Sequence, residues 1–427
     1  MTVKTFTSRW VLANGLTVLY RRDATMPLAA GTLLLRSGSR YERPQEAGVC
    51  NFMFEMLLAG TRRKNARQIA DVIESVGGSM GAQAAEDYSE LDWLVPAIHA
   101  ERIFDLMAEV LMEPTWPQPE ITKQRRHILM DLKTRTDGLF NVAYDAFRKT
   151  LFNDHPYSRP VDGTPEAVEK ITKKDLAQWH ARYVHPKQSI FSLAGPWSLR
   201  QAQRLVEKSL GRWGHKGRPL RATQTMRSIL DGQPHMAAPA QFLESPAPIT
   251  LSASFQQAYL MTGTYAPALT SAQILPLKLW NMIVGGGMSS RLFVQLREER
   301  GLAYEVSSFY PARLDASAWA VYMGLPAERL PEAEKALLAL LEDMALKGPT
   351  VAELTQAKQL MQGTYVMDHQ TRRRQAWYAA WWEFLGRPTN YDHRYLQRIA
   401  AVSMREVRAA GRALLERPRL TVKVMPK

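Results

Sequence analysis

The amino-acid sequence predicts an α+β fold: two homologous α/β sandwich halves that form a clamshell and are joined by a linker. Three observations lead to this prediction. The chain has 427 residues, too many for a single hydrophobic core. From about residue 216 to residue 248 the sequence loses its hydrophobic periodicity and is rich in Pro, Gln, Arg and Ser, which is typical of a linker. The stretches on either side of that linker repeat each other.

The repeat comprises a helix end, alternating strands, a Pro-Ala pair, a helix and the start of a second helix. Its equivalent positions are separated by 224, 230 and 233 residues, and such similar offsets indicate a duplicated unit. We therefore expect an N-terminal half at 1–215, a linker at 216–248 and a C-terminal half at 249–427. The equivalent positions are Gly77 and Gly301, Pro96 and Pro326, and Glu120 and Glu353.

The N-terminal half begins with a hairpin, because the Asn14-Gly15 pair, a type I′ turn signal, separates two apolar runs between Trp10 and Tyr20. The helix that follows is apolar on nearly every side, so we expect it to be deeply buried. The remaining elements follow from periods of 2 or 3.6 residues and from their Gly and Pro stops. The predicted strands are 29–35, 80–96 (as one strand or two) and 189–195, and the predicted helices are 46–58, 65–76, 100–111, 120–136 and 172–183.

In the C-terminal half, the stretch Gly285–Tyr304 predicts a glycine-rich loop followed by a helix. Gly301 should cap that helix, and a strand should begin near Tyr304. This order places Arg297 in the last helical turn and Tyr304 on the strand that returns beside it. A guanidinium and a phenol so placed could donate hydrogen bonds to a peptide carbonyl. The alternative is that Arg297 is a solvated ion-pair partner and Tyr304 a core residue.

Composition excludes several classes of protein. The sequence contains no run of 18 apolar residues and no apolar N-terminal leader, so we expect a cytoplasmic protein, or a periplasmic one if a leader has been removed. A single cysteine, Cys50, excludes an internal disulfide and a cysteine-based zinc site. The net charge of +14 is spread along the chain without a nucleic-acid motif, which favours an acidic peptide or an acidic partner.

Four stretches together resemble a known family: Asn14–Leu16, Gly48–Thr61, His155–Tyr157 and, most specifically, Gly285–Tyr304. They are similar to the insulinase, or pitrilysin, family of zinc peptidases, the inverzincins, which includes the mitochondrial processing peptidase. The resemblance implies a clamshell that encloses an extended peptide. It also implies zinc held by His-x-x-Glu-His on a buried helix and by a glutamate on a later helix. An Arg and a Tyr of the second half contact the substrate in that family, and Arg297 and Tyr304 match them.

The zinc motif itself is degenerate in this sequence. Asn51 and Glu55 replace the two histidines, and Phe54 replaces the glutamate. The later helix carries Gln124 and Asp131 where the family usually has glutamates. Asn51 is a poor neutral ligand and Phe54 cannot act as a base, so we expect no metal in this chain and no peptide hydrolysis by the chain alone.

The resemblance therefore implies a non-catalytic, substrate-binding subunit of a hetero-oligomeric zinc metallopeptidase. A homologous partner with an intact His-x-x-Glu-His would hold the zinc, while Arg297 and Tyr304 would act in its active site. In the family the peptide adds to a sheet edge, which corresponds to about residues 80–89 here. Two alternatives remain: a structural scaffold subunit, and a self-sufficient hydrolase that uses Glu55 and Asp131 with an unusual metal.

A segment near the C-terminus, residues 369–382, mixes arginines with aromatic residues. Aromatic side chains at helical spacing are typical of a core, so we expect the arginines on a solvated face. The alternative is a subunit interface, where Trp, Tyr and Arg are enriched.

Overall fold

The computed structural model describes residues 7–214 and 246–427. They form two compact units, each built on one sheet. The first unit contains the described residues of 7–132, 160–214 and 366–394, and the second those of 133–159, 246–365 and 395–427. The two-unit α/β fold is therefore confirmed. The units exchange residues 133–159 and 366–394 relative to the predicted division at 1–215 and 249–427. The predicted linker, 216–248, falls almost entirely outside the described residues.

The first unit contains a six-stranded mixed sheet in the order β1-β2-β6-β3-β5-β4. β2 and β6 run parallel, and the other neighbouring pairs are antiparallel. Among the described residues β4 pairs only with β5, so it is an edge strand of this sheet. The strands are β1 Thr7–Val11, β2 Thr17–Arg22, β3 Leu28–Leu35, β4 Ser79–Ala84, β5 Ser89–Pro96 and β6 Ser189–Gly195.

The predicted hairpin is present as β1 and β2, but its turn is not type I′. That turn needs positive φ at both central residues, and of Asn14 and Gly15 only Gly15 has it, at 92°. The Asn14 side chain instead donates hydrogen bonds to the carbonyls of Leu210, at 2.8 Å, and Trp213, at 3.0 Å. It therefore attaches the hairpin to the end of a later helix.

One face of the first sheet packs against helices from the same half of the sequence, and together they form a large apolar core. The long helix α4 is polar on its outer side and reaches this core through Ile121 and Ile128. The helices of this half are α1 Val49–Glu55, α2 Ala66–Glu74, α3 Ala100–Met112, α4 Gln118–Arg135, α5 Leu139–Phe152, α6 Pro165–Val168, α7 Lys173–Tyr183 and α8 Leu199–Leu210.

The second unit contains a five-stranded sheet in the order β7-β11-β8-β10-β9, with β9 at one edge. A π-helix, Phe293–Glu298, lies between α9 and β9. The elements of the C-terminal half are β7 Ile249–Ala253, β8 Ala258–Ala266, α9 Ile274–Gly285, β9 Glu305–Phe309, β10 Ser317–Leu325, α10 Leu330–Lys347, α11 Val351–Asp368, α12 Arg372–Phe384, α13 Tyr391–Ala401, α14 Met404–Leu415 and β11 Leu420–Pro426.

The remaining face of each sheet is covered by a helix from the other half of the sequence. α5 packs against β8 and β11, where Phe147 is fully buried beside Met261 and Val422. α12 packs against β3 and β6, and its two small residues Ala376 and Ala380 are fully or almost fully buried. Each sheet is thus enclosed between two layers of helix.

The prediction of a solvated face for the α12 arginines is wrong for Arg372, whereas the side chains of Arg373 and Arg374 are both 38% exposed. Arg372 is buried and pairs with Asp23 at 3.1 Å, and Arg373 pairs with Asp92 at 2.6 Å. Of the aromatic residues, Trp382 is buried as predicted, while the half-buried Trp377 stacks on Trp381 with ring centres 5.3 Å apart and donates to the carboxylate of Glu90 at 3.1 Å. In the part of the chain that the structure covers, no helix has both the length and the apolar character required to cross a membrane.

The buried helix α1 depends on its first turn. Gly48 has a φ of 92°, and the Glu42 carboxylate accepts hydrogen bonds from the backbone N–H groups of Gly48, at 2.9 Å, and Cys50, at 2.8 Å. A negative charge at a helix N-terminus is favourable because it satisfies free N–H groups and opposes the helix dipole. A Cβ at position 48 would lie 2.6 Å from the carbonyl oxygen of Asp162.

We expect Gly48→Ala to destabilise the chain by about 3 kcal/mol, because it combines left-handed strain of about 1–2 kcal/mol with a backbone clash. Gly77→Ala is the matched control, since Gly77 also has positive φ, 60°, but no heavy atom within 4 Å of the added Cβ. Its cost should be about 1 kcal/mol. Urea unfolding of both variants measures the difference, and equal losses would show that the clash is relieved by movement of the backbone.

Candidate functional site

Helix α1 places the degenerate zinc positions in three different environments. Asn51 is 6% exposed, Phe54 is fully buried in the core of the first unit, and Glu55 lies at the exposed C-terminal end of the helix. The spacing of the motif is therefore kept on one helix. Phe54 is an ordinary core residue.

Glu55 is the centre of a polar cluster that joins α1 to α4. The side-chain amide of Asn51 donates to one carboxylate oxygen of Glu55 at 3.1 Å, and the amide of Gln124 donates to the other. Desolvation by the surrounding protein raises the pKa of Glu55, and the nearby carboxylates of Asp162 and Asp131 raise it further. The two amide hydrogen bonds oppose this effect. The family resemblance places Gln124 and Asp131 of the later helix near this motif, and in the structure Gln124 is the one that hydrogen-bonds to Glu55.

These residues do not fit a zinc ion. Zinc requires deprotonated nitrogen, sulfur or oxygen ligands in a tetrahedral arrangement, and catalysis requires a carboxylate base beside it. Here both carboxylate oxygens of Glu55 already accept hydrogen bonds from neutral amides, and Phe54 provides no base. Within residues 7–214 and 246–427 no three His, Cys, Asp or Glu side chains are close enough together to hold a metal ion.

The second unit carries Arg297 on a π-helix, where the sequence predicted an ordinary α-helix. The wider turn is closed by the bond from the N–H of Glu299 to the carbonyl of Val294, at 2.9 Å. Single π-turns are frequent at functional sites. The guanidinium of Arg297 lies 4.8 Å from the centre of the Phe293 ring and 3.9 Å from the Glu298 carboxylate, and its side chain is 42% exposed.

Tyr304 is also exposed, by 42%, so it is not a core residue. Its hydroxyl donates to the side-chain carbonyl of Gln257, a contact that no sequence pattern indicates. Partial burial raises the pKa of Tyr304, and the adjacent carboxylate of Glu305 raises it further, so the phenol stays protonated at neutral pH. Arg297 and Tyr304 do not hydrogen-bond to each other in the described part of the chain. Both side chains are partly exposed.

The helical turn that carries Arg297 is anchored by Arg291. Its guanidinium forms a bidentate pair with Glu353, at 2.6 and 3.0 Å, and donates to the carbonyl of Gly348 at 3.1 Å. Bidentate arginine–carboxylate pairs are directional as well as strong. Gly301, with a φ of 57°, then ends the turn as predicted. The region from 291 to 304 is therefore held by contacts within the second unit.

Two similar α/β units, one with a metal-motif helix and one with an exposed Arg and Tyr, have the organisation of a metallopeptidase of the insulinase type. Two family models match this chain: the insulinase model (peptidase family M16) over residues 17–165, and the peptidase M16 inactive domain over residues 170–361. The chain belongs to the insulinase (M16) family of peptidases.

Two relatives agree with this assignment. The uncharacterized zinc protease YmxG of Bacillus subtilis is 26% identical over 363 residues, which cover 84% of this chain and 83% of the relative. An uncharacterized zinc protease of Mycobacterium leprae is 27% identical over 415 residues, 96% of this chain and 89% of the relative.

Two solved structures match the fold. A protease from Helicobacter pylori has a TM-score of 0.88 at 20% identity, covering 99% of this chain and 100% of that chain. A peptidase M16 inactive domain from Pseudomonas fluorescens has a TM-score of 0.86 at 22% identity, covering 99% and 98%.

The raised pKa of Glu55 predicts a specific pH dependence. A carboxyl group whose pKa is higher in the folded state binds its proton more tightly there, so its contribution to stability falls as pH rises above the ordinary value of 4.5. Glu55→Gln should therefore gain stability relative to the wild type between pH 4.5 and neutral pH. Glu74→Gln, at an exposed position outside the cluster, serves as the control in urea unfolding. A difference that does not change with pH would show that Glu55 has no raised pKa.

Metal content tests the degenerate motif directly. We expect the purified wild-type chain to contain far less than one equivalent of zinc by elemental analysis. The variant Asn51→His/Glu55→His/Asp131→Glu restores the ligand set and should bind about one zinc. Asn51→His alone, which leaves Glu55 and Gln124 unchanged, should bind none. Stoichiometric metal in the wild type would instead support the self-sufficient hydrolase.

Proposed function

We propose that this chain is the non-catalytic, substrate-binding subunit of a hetero-oligomeric zinc metallopeptidase. One asymmetry carries the proposal. In the first unit Phe54 is buried, and the exposed carboxylate of Glu55 accepts hydrogen bonds from Asn51 and Gln124. In the second unit the Arg297 and Tyr304 side chains are both 42% exposed. The chain has lost the metal-binding function of the family and kept the substrate-contacting one.

Arg297 and Tyr304 suit a peptide carbonyl on which negative charge develops. The guanidinium is permanently charged, and the raised pKa of Tyr304 keeps its proton available as a hydrogen-bond donor. Removing one such donor typically costs about 2.7–4 kcal/mol of transition-state stabilisation. The two residues would thus orient the scissile region and stabilise its oxyanion.

The partner follows from what this chain lacks. A homologous subunit with an intact His-x-x-Glu-His would hold the zinc and supply the base, so the zinc is expected there and none in this chain. The net charge of +14 favours acidic peptides or an acidic partner surface. In this chain the free edge of β4, which pairs only with β5, is where an extended peptide could add as a strand.

Substitution of the two donors tests their role. In a reconstituted complex, Tyr304→Phe and Arg297→Ala should each lower kcat for peptide hydrolysis by about 10²-fold or more, because each removes one oxyanion donor. Arg300→Ala, which removes an exposed arginine from the same segment, is the matched control and should leave kcat unchanged. Size-exclusion chromatography should show that all three variants remain in the complex.

Two results would contradict the proposal. Unchanged hydrolysis by both donor variants would remove Arg297 and Tyr304 from the mechanism. Co-purification of the chain without any subunit that carries an intact zinc motif would favour the structural scaffold instead. Native purification followed by identification of the accompanying chain is therefore the first experiment.

A further inference from the structure

The Tyr304 ring packs against the backbone at Gly324, which has no side chain. Its backbone N–H donates to the carbonyl of Gly324 on β10, at 3.3 Å, and Gly324 pairs with Glu305, the next residue along. A Cβ added at position 324 would lie 3.1 Å from Cε2 and 3.2 Å from the hydroxyl oxygen of Tyr304. The tyrosine ring therefore lies directly over the glycine.

At position 324 a side chain is opposed by lack of space and not by backbone conformation. Gly324 is absent from the glycines with positive φ, so its backbone conformation is open to any residue. Within a strand, a glycine without special φ often marks a place where another group approaches the backbone closely. Here the approaching group is the ring of Tyr304.

The hydroxyl end of the same ring is held by Gln257, at the turn before β8. The side-chain amide of Gln257 has both an acceptor oxygen and a donor NH₂ group. In the structure its oxygen accepts a hydrogen bond from the phenol. When the Tyr304 proton turns to a substrate carbonyl, the same amide can rotate and donate to the phenol oxygen. A carboxylate at this position could only accept, and it would hold the proton back.

We infer that Gly324 and Gln257 are positioning residues that together fix the direction of the Tyr304 hydroxyl. Gly324 sets the plane of the ring, and Gln257 sets the orientation of the hydroxyl proton. The inference rests on the proposed function for its catalytic consequence. All three residues belong to this chain, so their arrangement can be tested without a partner subunit.

The first test uses the isolated full-length chain and needs no partner. Tyrosine labelled with ¹³C at Cζ gives one resonance per tyrosine, and Tyr304→Phe identifies the resonance of Tyr304. Gln257→Glu should raise the pKa of this phenol, because a negative charge beside it disfavours the phenolate. Gly324→Ala should shift the same resonance. Gly363→Ala, at an exposed helical glycine with open space around it, should leave it unchanged.

The second test uses the complex. Gly324→Ala and Gln257→Glu should each lower kcat by about tenfold or more with little change in KM, since a misplacement of about 1 Å can cost roughly 10²-fold. In a Tyr304→Phe background neither substitution should cause a further loss, because both act through the hydroxyl.

The outcomes separate the two proposals. A Tyr304 resonance and titration unaffected by Gln257→Glu would overturn the positioning role whatever the activity. If Gly324→Ala does not fold, Gln257→Glu still decides the question. A shifted titration together with hydrolysis that is insensitive even to Tyr304→Phe would support the positioning role and reject the proposed function.

Discussion

Each sheet of this protein has two faces that must be removed from water, and the helices that follow its own strands cover only one of them. The other face is closed by a helix from the opposite half of the sequence, α12 on the first sheet and α5 on the second. This exchange decides how the rest of the chain is arranged. On β5, Leu91 and Trp93 point into the core shared with the neighbouring helices, while Glu90 and Asp92 meet Trp377 and Arg373 of α12. Neither half of the sequence could bury its sheet alone, and this makes folding of the halves interdependent.

Contacts with neighbouring elements also hold the helix that carries the degenerate metal motif. A helix as short as α1 is marginal by itself, and it is held by the Glu42 carboxylate at its first turn and by burial of most of its side chains. The polar positions that remain at its end are satisfied by one another, through Asn51, Glu55 and Gln124. A polar cluster whose hydrogen bonds are complete stabilises the junction of two helices, whereas a half-liganded metal site would leave a carboxylate uncompensated. The hydrogen bonds among Asn51, Glu55 and Gln124 therefore join α1 to α4.

In the second unit the polar groups of interest point outward. Arg291 forms an ion pair with Glu353. Arg297, six residues later, lies beside the Phe293 ring and the exposed carboxylate of Glu298. Exposed ion pairs such as that with Glu298 contribute little to stability, so the guanidinium can exchange this partner for a ligand at small cost. Arg291 is thus held by its ion pair with Glu353, whereas Arg297 is partly exposed beside a weak ion pair.

The sequence by itself determined the elements that depend on local periodicity and on special backbone angles: the hairpin around Gly15, the end of the helical turn at Gly301, the two repeated units, and the loss of both histidines and the base from the metal motif. It could not determine contacts between residues far apart in the chain. Only the tertiary structure decided four features. They are the exchange of α5 and α12, the ion pairs of the α12 arginines, the hydrogen bond from Gln124 to Glu55, and the packing of the Tyr304 ring against Gly324. The physical reason is that periodicity specifies which face of an element is buried, but not which distant element covers it.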